Sequence, residues 1–110
     1  MNNFEWERTK WPEFRRIDLT REQAECYYKK FSRHFKIRKP NIAWESKKRQ
    51  GGQYQSMGEL ILLPKKTNFG TVIHEFAHHF AKVEYGRRQN HNKNWKRCLK
   101  KTYTFAKRYL

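Results

Sequence analysis

The chain has 110 residues, with 26 Lys and Arg against 10 Asp and Glu and a formal net charge of +16. That length bounds it to one domain with a modest core, and its 16% aromatic content points to a core of large rings and away from whole-chain disorder. Two cysteines outside any CxxC pair exclude a cysteine-ligated zinc finger, and no apolar run reaches the length of a membrane span.

Residues 1–19 read as an aromatic arm, with Trp6, Trp11, Phe14, Ile17 and Leu19 set among charges and Pro12 interrupting any helix. Its start, MNNFEWERTKW, lacks the apolar core of a signal peptide, so a cytoplasmic, nucleoid-associated location with Cys26 and Cys98 as free thiols is expected. Thr20 and Gln23 match a capping box. Ala24, Tyr27, Tyr28, Phe31 and Phe35 follow at helical spacing, predicting a helix over about 20–36 that Lys39 and Pro40 end.

Three strand-like runs come next: NIAWE at 41–45, GQYQSM at 52–57 and ELILL at 59–63, the last closed by Pro64. They predict a short antiparallel sheet of about three strands, with SKKRQGG as a turn and KKTNFG at 65–70 as a connector. A helix then begins near Thr71 and stops at Gly86. A final amphipathic helix over 92–109 places Trp95, Cys98, Leu99, Thr102, Phe105 and Ala106 on one face. The class is α+β.

An excess of positive charge this large attracts polyanions, of which nucleic acid is the commonest for a soluble protein. Lys47, Lys48, Arg49, Arg87, Arg88, Lys93, Arg97, Lys100 and Lys101 are the candidate DNA-backbone contacts, and a merely solvated helix face is the plainer alternative. DNA is therefore an expected partner by electrostatics, and no membrane is.

The chemistry concentrates in TVIHEFAHHFAKVEYG at 71–86. His74 and His78 stand at i and i+4, so both imidazoles leave one helix face and can share a zinc ion. Glu75 is rotated about 100° from His74, outside the ligand set but within reach of a zinc-bound water as general base. His79 is turned by the same angle from His78, which makes it a surface or supporting residue. A catalytic zinc takes a third protein ligand, and His91, delivered by a chain reversal after Gly86, is the preferred one. Glu84 is the alternative, but Ala81 stands where a helix-breaking glycine would be needed to swing it back. His34, with aromatic neighbours, reads as structural.

The strand ELILLP, the helix with HEFAH, and His91-Asn92-Lys93-Asn94-Trp95 together resemble the SprT-like zinc metalloprotease domain. The likeness covers roughly 20–105, with Asn92 where that family often has glycine and Trp95 as its aromatic. It implies a zincin-like fold over 20–110, in a minimal form without the zinc ribbon of larger relatives. It also implies a zinc endopeptidase acting near DNA on DNA-bound or DNA-crosslinked proteins. Glu59, Leu60, Ile61 and Leu62 would pair with the extended substrate as an added strand, and Tyr54 or Tyr85 would stabilise the oxyanion. Two other readings remain: a basic nucleic-acid-binding protein with a structural zinc and no turnover, and a peptidase recognising one acidic partner.

Overall fold

The computed structural model describes residues 3–45, 52–87 and 90–110. Helix α1 (Asn3–Lys10) leads into a short 3-10 helix at Pro12–Arg16, strand β1 (Asp18–Leu19) and helix α2 (Arg21–Phe35). Strands β2 (Asn41–Glu45), β3 (Gln53–Gln55), β4 (Leu60–Pro64) and β5 (Thr67–Asn68) precede helices α3 (Phe69–Tyr85) and α4 (Lys93–Ala106). A 3-10 turn at Lys107–Tyr109 follows α4. The α+β class holds, and no described helix is long and apolar enough to cross a membrane.

The caps lie where side-chain chemistry puts them. The Thr20 hydroxyl accepts from Gln23 N–H and the Gln23 side chain accepts from Thr20 N–H, closing the capping box on α2. Asn68 and Asn92 accept from the N–H groups of Thr71 and Trp95 and so start α3 and α4. Gly86, at φ 79°, ends α3 in the left-handed conformation that glycine adopts without strain. Helix α2 ends at the expected boundary near 36, ahead of Lys39 and Pro40. Lys36 turns left-handed at φ 56° and its N–H bonds the Ser32 carbonyl, which closes the last turn.

The arm is more ordered than its charge pattern suggests. Pro12 does not prevent a helix before it; it opens the 3-10 turn after α1, a place where the missing N–H costs nothing. Trp11 and Phe14 enter the core, Trp11 stacking on Tyr103 with centroids 4.2 Å apart and Phe14 meeting Phe69 edge-on at 5.1 Å. The connector before α3 contributes β5, which pairs antiparallel with β1.

The three-stranded sheet corrects the antiparallel expectation. Its order is β2-β4-β3, with β3 antiparallel to β4 but β2 parallel to it. Only the β3–β4 connection is a tight turn, and parallel strands cannot be joined that way. Helix α3 lies at the centre, buried on every side from Phe69 to Ala81, its polar residues Thr71, His74, Glu75, His78 and His79 included. Ile73 and Phe76 of α3, with Phe31 of α2 and Leu99 of α4, are fully buried, each worth roughly 1.5–3 kcal/mol of transfer free energy.

Candidate metal centre

Helix α3 carries His74 and His78 one turn apart, and both are buried. The reversal after Gly86 returns the chain to His91, whose φ of 31° is strained for a residue with a side chain. Asn92 caps the following helix, so this strained step and this cap together aim the His91 ring back at α3. Nε2 of His91 stands 3.2 Å from Nε2 of His78 and 3.2 Å from Nε2 of His74. Two imidazole nitrogens bound to one tetrahedral zinc stand roughly 3.3 Å apart. A hydrogen bond places one proton between two nitrogens, whereas a cation accepts all three lone pairs at once. These three residues are close enough to bind one metal ion, and His91 is the third member of the cluster.

The opposite nitrogen of His74 identifies its tautomer. Nδ1 lies 3.1 Å from Oε2 and 3.2 Å from Oε1 of Glu7, and a carboxylate can only accept, so Nδ1 carries the proton and Nε2 presents its lone pair to the cluster. Glu7 is buried and also accepts from Arg15 at 2.7 Å and from the Tyr103 hydroxyl at 3.2 Å. Burial pushes its carboxyl up, but the bonds and charges of His74 and Arg15 outweigh that and hold it below the usual carboxylate range. No motif marks Glu7. It sits in a charged stretch with ordinary helical spacing, and only the fold shows it to be part of the site.

Glu75 is buried next to the cluster, with Oε2 3.9 Å from Nε2 of His74. Gly52, at the entry to β3, makes room for it: a Cβ there would stand 2.8 Å from Glu75 Cγ and 3.0 Å from the Leu62 carbonyl oxygen. Trp95 packs against all three imidazoles, with centroids 5.1 Å from His74, 5.4 Å from His78 and 4.6 Å from His91. Its wall on one side limits the positions the rings can take.

Several sequence expectations change. His79 is not a surface residue: it is fully buried, its Nε2–H donates to the Arg38 carbonyl at 2.8 Å, and its Nδ1 therefore accepts the Tyr54 hydroxyl at 3.0 Å. Burial pushes His79 below the usual imidazole value. That bond commits the single Tyr54 phenol proton to His79, so Tyr54 is not available to stabilise an oxyanion, and Tyr85 stands 42% exposed on the last turn of α3. Glu84 stays on α3, exposed and outside the histidine cluster. His34 is exposed, stacks on Phe105 with centroids 3.8 Å apart and lies outside the histidine cluster.

The substrate-strand expectation also fails. Leu60, Ile61 and Leu62 lie on β4, which is paired on both sides, so no further strand can add to it. Glu59 lies outside the strand at φ 48° and bonds Arg38 and Lys82. The edge strand near Glu75 is β3. Of the candidate DNA contacts, Arg87, Lys93, Arg97, Lys100 and Lys101 are exposed, while Lys47, Lys48, Arg49 and Arg88 lie outside the described residues.

Compared with protein-family models, curated proteins and solved structures, the chain matches none.

Proposed function

We propose that the protein is a zinc-dependent endopeptidase of the SprT-like kind, acting near DNA on DNA-bound or DNA-crosslinked proteins. The observation that carries this reading is a three-nitrogen cluster with a buried carboxylate beside it. A structural zinc is closed by four protein ligands, whereas a catalytic one keeps a position open. Among the described residues the cluster offers three donors: His74, His78 and His91.

Three imidazoles suit zinc better than calcium or magnesium, which take oxygen ligands. Bound there, zinc would act as a Lewis acid on a peptide carbonyl and make water acidic enough to attack at neutral pH. Glu75 takes the proton from the attacking water on its carboxylate and passes it to the leaving amine nitrogen. Glu7 keeps His74 in the tautomer that binds through Nε2, and Trp95 holds the three rings in place. Strand β3, which lies at the edge of the sheet among the described residues, supports an extended substrate paired through its main chain, which gives little sequence preference. A net charge of +16 supports the placement near DNA.

Cleavage of an unfolded protein and of a DNA-crosslinked protein, with and without chelator, tests this reading. Glu75→Gln is expected to retain zinc and lose cleavage. A folded, zinc-loaded wild type that cleaves neither substrate would instead identify a nucleic-acid-binding protein with a structural metal.

A further inference from the structure

Trp6 on α1 is half-buried, with its ring meeting Trp11 edge-on at 5.5 Å, and Trp11 in turn is stacked on the buried Tyr103. The ring is thus anchored to the core, and lysines surround it. Nζ of Lys10 lies 5.6 Å from its centroid, that of Lys96 5.0 Å and that of Lys100 5.9 Å. Lys10 follows Trp6 by one turn of α1, and Lys96 and Lys100 are one turn apart on α4, so two helices converge their cations on one indole. None of the three ammonium groups pairs with a carboxylate among the described residues. Like charges held this close raise the local potential, which a polyanion relieves.

The positive track continues along α4. Lys100 also lines a surface cleft of about 350 Å³ with Lys101 and Arg108, floored by the stacked rings of His34 and Phe105. Lys96 and Arg108 are twelve residues apart, which corresponds to roughly 18 Å of helix. A phosphate backbone laid from Trp6 along α4 meets Lys96 and Lys100 beside the indole and Lys101 and Arg108 at the cleft.

We propose that Trp6, Lys10, Lys96 and Lys100, extended by Lys101 and Arg108, bind a single strand of nucleic acid, with one base on the Trp6 ring and phosphates on the cations. An unpaired base has a free face to stack, whereas a duplex offers none. On binding, the ammonium groups exchange the ring for phosphate oxygens. This inference rests on the nucleic-acid half of the proposed function and gives it a location. Trp6 is followed in α1 by Glu7, the residue bonded to Nδ1 of His74.

The test is fluorescence anisotropy of labelled single-stranded dT12 and of a duplex of equal length, using the zinc-loaded full chain. Trp6→Ala is expected to weaken dT12 binding roughly ten-fold, with Trp6→Phe retaining most of it and duplex binding unchanged. Lys96→Ala with Lys100→Ala, both surface changes that leave the core intact, should lower the slope of log affinity against log salt by about 1.4. Wild-type binding that none of these variants alters would overturn this location and leave DNA association standing. No binding of dT12 or of the duplex by the wild type would overturn both, and binding of the duplex alone would overturn this proposal, in each case independently of peptide hydrolysis. Polyglutamate displacing dT12 equally from wild type and Trp6→Ala would mark the face as a site for acidic proteins and overturn the proposal.

Discussion

Glu7 and His74 are 67 residues apart in the chain, and their side chains meet at 3.1 Å in the interior. The carboxylate accepts the Nδ1 proton of His74 and leaves Nε2 to face His91. An N-terminal helix thereby takes part in shaping a candidate metal site whose histidine pair lies on another helix. Removing its charge while keeping its shape is therefore informative, since an amide can also turn its NH2 toward Nδ1. Glu7→Gln is expected to lower zinc affinity about ten- to 100-fold, the range found when partners of metal-bound histidines are changed. Competition with a chelator reads the affinity, and circular dichroism checks that the fold is retained. Unchanged affinity would reduce Glu7 to a structural residue.

Gly52 faces Glu75 at a distance no side chain tolerates, since an added Cβ would lie 2.8 Å from Cγ of the glutamate. Gly52→Ala should displace the Glu75 carboxylate and lower kcat by up to about 100-fold, in line with misplacing a reacting group by an ångström. Zinc content should not change, because Glu75 is not in the ligand cluster. Steady-state kinetics beside metal analysis separates the two effects, and an unaltered kcat would mean that Glu75 does not need this space.

Glu59 predicts how the fold responds to acid. Its hydrogen bonds and charges with Arg38 and Lys82 pull its carboxyl down to about 2 from an ordinary 4.5. A depressed folded value means that the unfolded chain binds the proton more tightly, so this stabilisation is complete above pH 4.5 and is lost as pH falls toward 2. Solvent screens the group, which leaves a contribution of about 1 kcal/mol at neutral pH. Urea unfolding of wild type and Glu59→Gln should differ by that amount at pH 7 and converge near pH 2. A gap that stays constant across this range would show that the ion pairs are not its source.

The two cysteines should react at very different rates. Cys26 is exposed, whereas burial pushes the Cys98 thiol up to about 12. A chromogenic disulfide reagent at pH 8 is expected to titrate one thiol per folded chain quickly and the second only on unfolding. Two fast thiols would indicate that α4 opens readily.

The site was legible in the sequence wherever local geometry decides. Helical spacing alone selects His74 and His78 and turns His79 aside, and a glycine stop followed by a polar loop is enough to bring His91 back. It was not legible where the partner is distant. Glu7 reaches His74 through tertiary packing, and no local pattern separates it from the chain's other acidic residues. Strand direction was similarly hidden: the residues of β2 and β4 would alternate the same way in either orientation, so the parallel pairing and the interior position of β4 follow only from the fold. His79 shows a third limit, since helical rotation says which way a ring points but not that Tyr54 and the Arg38 carbonyl wait there.

The proposed function requires His74, His78 and His91 to hold one zinc ion between α3 and the start of α4. Metal analysis of the purified chain, alongside His91→Ala and Glu84→Ala, tests it most directly. One zinc per chain is expected for wild type and for Glu84→Ala, with a large loss for His91→Ala. Full zinc occupancy in His91→Ala, or a wild type that takes up no zinc, would contradict it.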